Sequence, residues 1–172
     1  MTNLETERLL LRQFALDDAE YIIRQLNEPS FIQNIGDRGV RSLADAENYL
    51  KNGPLTSYSK NGFGLMAVTL KETGEIIGMC GLIKRDGLDD VDIGFAFLPE
   101  FWLKGYAIES AGAVMENGKE IGLGRVVAIV DPRNEPSIRV LEKLGMKFEK
   151  MVRLSQDDID LKLYVIDIHQ DT

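Results

Sequence analysis

The sequence predicts a mixed α/β domain of the α+β class. Its centre is a mostly antiparallel sheet of about six or seven strands with one parallel pair, flanked by about four helices. Two patterns predict this. Residues 63–98 hold three strand-like segments joined by short polar turns, an antiparallel meander. Residues 91–130 read strand, helix, strand. The last of these, RVVAIV at 125–130, is almost wholly apolar, which suits a strand covered on both faces in a parallel pairing. Such a crossover is right-handed. The 172 residues contain no repeat, low-complexity stretch or linker, so a single domain over 1–172 is expected.

Each element has its own local reason. Residues 8–12, RLLLR, form the first strand. Asp17 and Asp18 then start a helix, because acidic residues suit a first turn; Ala19, Ile22, Ile23 and Leu26 follow at helical spacing. Pro29 ends that helix, and residues 30–41 are irregular. Ser42 is an N-cap with Asp45 three places on. It opens a second helix carrying Leu43, Ala46, Tyr49 and Leu50, which Gly53-Pro54 interrupts. Strands 63–70 and 76–84 are joined by Lys71-Glu72-Thr73-Gly74, and 91–98 completes the meander. Helix 105–121 is stopped by Gly122 and Gly124. After the strand 125–130, Asp131-Pro132 turns the chain into a short helix, 135–144, closed by Gly145. Two strands, 147–154 and 159–168, finish the sheet.

Composition narrows the partners. With 20 basic and 28 acidic residues the net charge is −8, which disfavours nucleic acid. It is compatible with a cationic substrate such as an amine, and equally with simple solubility. No apolar run approaches the ~20 residues that span a bilayer, and the N-terminus lacks signal-peptide character; no membrane partner and a cytoplasmic location are expected. The single cysteine, Cys80, excludes an intrachain disulfide and a cysteine-based zinc cluster, so no metal is expected. In a strand with Met79 and Leu82, Cys80 reads as a small core hydrophobe.

The chemistry centres on the loop 99–105. A helix that begins just after a strand presents unpaired backbone N–H groups, here those of Leu103, Lys104, Gly105, Tyr106 and Ala107. With the helix dipole they favour an anion such as phosphate. Gly105 lets the backbone approach a ligand closely, and Lys104 adds positive charge. This predicts a hold on the pyrophosphate of a nucleotide-like cofactor; an ordinary strand–helix turn has the same local pattern. Asp92 shares a strand face with Gly94, Ala96 and Leu98, whose small members leave room for a ligand. It is a candidate base. Glu100, just before the loop, is the competing one, and either can be a solvated carboxylate. Glu109 and Glu116 read as surface. The least patterned stretches, 31–41 and 53–62, are expected to meet a second substrate, with Phe31, Asn34, Arg38, Tyr58 and Phe63 as lining residues.

Trp102-Leu103-Lys104-Gly105-Tyr106-Ala107 resembles the acetyl-CoA-binding motif of the GCN5-related N-acetyltransferase (GNAT) superfamily. Gly105 and Ala107 match its small positions. Trp102, where Gln or Arg is usual, resembles the ribosomal-protein acetyltransferase branch, in which the run is commonly Trp-Gly-Lys-Gly-Tyr-Ala; Leu103 departs from it. Further matches lie at Glu7-Arg8-Leu9, Leu11-Arg12, 17–19, 74–78, 92–95, Asp131-Pro132, Asn134, Ser137 and 139–145. They run in order over about residues 4–165.

The resemblance implies the GNAT fold, whose parallel pair is splayed, and acetyl-CoA as co-substrate. It implies that backbone groups of Ala96, Phe97 and Leu98 pair with the pantetheine arm. Trp102 and residues 103–107 would hold the pyrophosphate, and Asn134 would bind the arm near the last helix. Many members place a Tyr four residues beyond Ser137, where this chain has Leu141, which cannot donate; Ser137, Tyr106 or water is then the partner or proton donor for the departing thiolate. The implied reaction is direct transfer, in a ternary complex, to a primary amine on a protein N-terminus or a small molecule. A non-catalytic acyl-CoA-binding sensor is the alternative. A monomer or a homodimer fits equally.

Overall fold

The computed structural model describes residues 1–169. In chain order the strands are β1 (Leu4–Glu5), β2 (Leu9–Gln13), β3 (Leu65–Leu70), β4 (Ile76–Ile83), β5 (Asp92–Phe97), β6 (Arg125–Val130), β7 (Lys147–Val152) and β8 (Leu161–Asp167). The helices are α1 (Ala19–Leu26), α2 (Pro29–Asn34), α3 (Leu43–Leu50), α4 (Thr56–Asn61), α5 (Tyr106–Glu120) and α6 (Glu135–Lys143). The strands form one sheet in the order β1-β2-β3-β4-β5-β6-β8-β7. The mixed, mostly antiparallel architecture is as expected, with a two-residue edge strand and two short helices added.

The helical half departs from expectation at its prolines. Pro29 does not lead into an irregular stretch; it opens α2 at the first helical position, where its missing N–H is no loss. Gly53-Pro54 does not end the second helix either. The chain widens into a π-turn over Lys51–Leu55 and runs on into α4, until Gly62 closes it at φ 76°. Ser42 and Asp45 do form the expected reciprocal cap: Asp45 N–H donates to Ser42 Oγ at 3.1 Å and Ser42 N–H to Asp45 Oδ2 at 3.2 Å. At the start of α1, buried Asp18 accepts both Arg12 Nη groups at 2.9 Å and the Ala15 N–H at 2.9 Å.

Helices cover both faces of the sheet. On one, α5 and α6 pack Val114, Met115 and Leu141 against Leu9, Leu11, Val68, Ile77, Phe97 and Val126. On the other, Ile22, Leu26, Phe31 and Leu50 of α1–α3 meet Ala67, Met79 and Leu98. Each such fully buried aliphatic side chain contributes roughly 1.5–3 kcal/mol. Gly78 is required in β4: a Cβ there would lie 2.4 Å from the Phe97 ring and 2.7 Å from the Ala96 carbonyl oxygen. Among the described residues no helix is long and apolar enough to cross a membrane, and no group of three His, Cys, Asp or Glu side chains could hold a metal.

One feature of the sheet positions everything that follows. Strands β5 and β6 run parallel and are in register only at Asp92 and Val127, where the Val127 N–H donates to the Val91 carbonyl at 3.0 Å. Beyond that bridge they diverge.

Candidate active site

The divergence exposes an interior edge of β5. The Leu98 N–H donates to the Ile77 carbonyl at 3.0 Å, and in an antiparallel pair such bonds alternate. Gly94, Ala96 and Leu98 therefore turn their backbone groups to β4, while Ile93, Phe95 and Phe97 turn theirs toward β6. The Phe97 carbonyl accepts the Trp102 indole N–H at 2.8 Å. That leaves the N–H and C=O of Phe95 and the N–H of Phe97 at the open edge. The expectation for Ala96 and Leu98 is corrected: their backbone groups belong to β4, and the Leu98 carbonyl also accepts the Phe101 N–H at 2.9 Å. Phe95 takes their place.

Below this edge lies a cleft of about 1160 Å³. Its walls bring together Asp92, Ala96, Asn134, Ser137, Phe31, Asn34 and Arg38 of the sequence-predicted residues, and add Tyr49, Arg85, Phe95 and Leu141. Two predicted lining residues lie elsewhere. Phe63 is buried in the core and its carbonyl accepts the Ser57 hydroxyl at 2.5 Å. The Tyr58 hydroxyl accepts the Phe14 N–H at 3.0 Å and donates to the Leu65 carbonyl, and burial pushes its pKa up to about 12. Both hold α4 to the sheet, because α4 is a helix and not the loop the sequence suggests.

Of the two candidate bases, Asp92 is on the cleft floor but wholly enclosed. Arg85 Nε donates to both of its oxygens, at 3.0 Å each. Burial raises the Asp92 pKa and outweighs the opposing pull of the Arg85 charge. Glu100 does not line the cleft; it is half exposed and pairs with Arg24 of α1 at 2.5 Å. Cys80 is fully buried, and burial lifts its thiol to about 12, which leaves no thiolate near neutral pH.

Helix α6 brings its first turn to the cleft because Asn134 caps it, accepting the Ser137 N–H at 3.4 Å. The half-buried Ser137 hydroxyl has no protein partner among the described residues. One turn on, Leu141 closes the wall with an apolar side chain.

The loop before α5 has the shape of an anion cradle. Gly105 is the N-cap at φ 83° and offers no side-chain cap, so its conformation needs glycine. Leu103 also has positive φ, 61°, with its side chain 99% exposed. Among the described residues the N–H groups of Leu103 to Ile108 have no protein acceptor. Lys104 Nζ lies 5.8 Å from the Phe101 ring.

Two residues at this end make contacts that no local pattern in the chain signals. Glu109 is not a surface carboxylate: it accepts Thr6 Oγ1 at 2.5 Å, the Arg8 N–H at 3.0 Å and Arg8 Nε at 2.8 Å. Arg8 lies across the Tyr106 ring at 4.3 Å, and its Nη2 is 3.4 Å from where a Cβ on Gly105 would sit.

Comparison with known proteins shows the family. A family profile described as "Acetyltransferase (GNAT) domain" matches residues 8–147. "Uncharacterized N-acetyltransferase YnaD" of Bacillus subtilis (strain 168) is 32% identical over 148 residues, 86% of this chain and 84% of that protein. The crystal structure of a GNAT-family acetyltransferase from Bacillus anthracis superposes with a TM-score of 0.79 at 29% identity, over 96% of this chain and 98% of that one. RimL, a ribosomal L7/L12 alpha-N-protein acetyltransferase solved in complex with coenzyme A, has a TM-score of 0.84 over 97% of this chain and 98% of its own. At 16% identity that likeness concerns the fold. The chain belongs to the GNAT acetyltransferase family.

Proposed function

We propose that this protein moves an acetyl group from acetyl-CoA to a primary amine by direct transfer in a ternary complex. The observation that carries the reading is the join of two features: the free edge of β5 at Phe95 and Phe97, and the unpartnered amides that open α5. An extended arm bearing amide groups fits the first, and a diphosphate fits the second. Gly105 supports the fit, since its left-handed φ of 83° suits a residue with no side chain of its own, and the Arg8 guanidinium lies beside it.

When bound, acetyl-CoA supplies an activated thioester carbonyl. The chain's own residues do the rest. The amides of Leu103 to Ala107 hold the diphosphate, with Lys104 beside them and Trp102 fixing the loop to Phe97. The Phe95 and Phe97 edge aligns the arm, and an N–H there polarises the carbonyl oxygen. Asn134 holds the arm from α6. The Ser137 hydroxyl gives a proton to the departing thiolate, a role Leu141 cannot take. Glu100 is paired with Arg24 outside the cleft lining and Asp92 is enclosed, so neither takes the ammonium proton directly. The acceptor reacts as its free amine, and the proton passes to cleft water.

The acceptor is a protein N-terminus or a small-molecule amine. The fold-level likeness to ribosomal-protein acetyltransferases keeps the first in view, and the open cleft suits either. Calorimetry with coenzyme A and thiol release from acetyl-CoA over a panel of amines test the reading. Micromolar binding with amine-dependent thiol release is the expected result. Binding without release from any amine would favour a sensor of acyl-CoA, and no binding would overturn the proposal.

A further inference from the structure

Three guanidinium groups line the cleft and the reaction above uses none of them; Arg133 chelates Asp131, which leaves Arg38 and Arg85, with one phenol, to be accounted for. Arg85 gives its Nε to Asp92, which leaves both Nη groups available. Its Nη2 lies 3.8 Å from where a Cβ on Gly94 would sit, so the fork lies over the small-residue floor of β5. The enclosed Asp92 carboxylate fixes that fork in place. Arg38, in the segment after α2, lines the same cleft, is exposed, and has no hydrogen bond or ion pair among the described residues. Tyr49 of α3 lines it too. Burial raises the Tyr49 pKa, and the charges of Arg38 and then Arg85 draw it back, so both cations act on the same phenol. Three separate elements thus bring donors to one part of the wall.

Two of the five carboxylates that line the cleft are already matched by arginines. Asp92 is taken by Arg85, and Asp131 by Arg133 at 2.9 Å. Asp86, Asp157 and Asp158 belong to two loops, 84–91 and 153–160. A plain alkylammonium would face the unpaired charge of Arg38 and gain nothing from the free Nη donors of Arg85, whereas a planar fork matches a carboxylate or a phosphate.

We infer that the acceptor carries an anionic group, a carboxylate or phosphate, besides its amine, and that Arg85 and Arg38 grip it while Tyr49 donates a hydrogen bond to it. This rests on the proposed amine acetylation. It orients the acceptor with its anionic end between the Arg85 fork and the wall of Arg38 and Tyr49, and its amine toward Phe95. The net charge of −8 gives no hint of such a site, because the two arginines are local and the acidic excess is not.

Matched probes test it: glycine against glycinamide for the carboxylate, and O-phosphoethanolamine against ethanolamine for the phosphate. Each is measured by thiol release with acetyl-CoA and by calorimetry on the protein with and without saturating coenzyme A. The anionic member of at least one pair should be preferred about tenfold or more, in kcat/KM expressed per free amine or in affinity. Arg38→Gln should remove most of that preference through KM, with kcat at saturating acceptor and coenzyme A affinity kept. Arg85→Gln should do the same, but it leaves Asp92 unpaired, so the exposed Arg38 is the variant that decides. Equal use of both members, or a preference unchanged in Arg38→Gln, overturns the inference. Coenzyme A binding with no heat from either anionic probe overturns it while leaving the acetyltransferase reading intact. Anionic-probe heat on protein that does not bind coenzyme A would sustain the anion site and sink that reading instead.

Discussion

Arg8, in the bend between β1 and β2, and Glu109, in the first turn of α5, are joined with Nε and Oε1 2.8 Å apart. The same carboxylate accepts the Arg8 N–H and Thr6 Oγ1, so its loss would strand three donors. Glu109→Ala should lower stability by roughly 1–3 kcal/mol. Thermal unfolding checks it, with a midpoint drop of about 2–10 °C expected for a chain of this size. An unchanged midpoint would mean that water replaces the carboxylate without loss.

Acid should weaken the fold through Glu109 and Asp18. In both, burial alone would raise the pKa. It is outweighed by Thr6 and Arg8 at Glu109 and by Arg12 and the Ala15 amide at Asp18, so both folded values fall below the ordinary 4.5 and 3.8. A depressed folded pKa means that the unfolded chain binds more protons in that window. The stabilisation is complete above about pH 4.5 and is lost as pH falls through the depressed folded values. Urea unfolding from pH 7 down to pH 3 should show the decline, and Glu109→Gln or Asp18→Asn should flatten it.

Leu103 holds a left-handed backbone with φ 61° while its side chain, 99% exposed, packs on nothing. A left-handed conformation costs a branched residue roughly 1–2 kcal/mol, and glycine avoids it at some cost in unfolded-chain entropy. Leu103→Gly should therefore raise stability by about 0.5 kcal/mol and keep coenzyme A affinity. Gly105→Ala should do the opposite at φ 83°, losing about 1 kcal/mol or more and weakening the affinity. Paired denaturant melts and calorimetry separate the two.

If cleft water takes the acceptor's proton, kcat/KM should climb with pH until the free amine predominates, near pH 8 for an α-amine. No lower plateau set by a carboxylate should interrupt it. Asp92→Asn should keep the shape of that profile while raising the acceptor KM, because it releases Arg85. A profile that loses its pH dependence in Asp92→Asn would restore Asp92 as the base.

Much of the frame could be read from the chain, and the reasons are local. The meander of β3 to β5 shows in short apolar runs between polar turns. The Ser42–Asp45 cap needs three residues of spacing. The apolar run of β6 reflects burial on both faces. What escaped depends on register or on distance in the chain. Phe95 and Phe97, not Ala96 and Leu98, face the opening because of which residues β4 pairs, and no composition reveals that. Glu109 is 101 residues from Arg8, so an acidic residue in a first turn looks like ordinary surface charge. Asp92 was legible as a floor residue, but Arg85, which occupies it, was not. Pro29 and Pro54 misled because proline marks the start of a helix or a widened turn as readily as an end.

A sheet stitched across its middle by one bridge, Asp92 to Val127, behaves as two wings sharing a seam. Twisting one wing against the other breaks few backbone bonds, while helices α5 and α6 limit how far it goes. The amides of Phe95 and Phe97, though central, should trade their hydrogens with deuterium as fast as those of an outer strand, and slow down when coenzyme A lies along them.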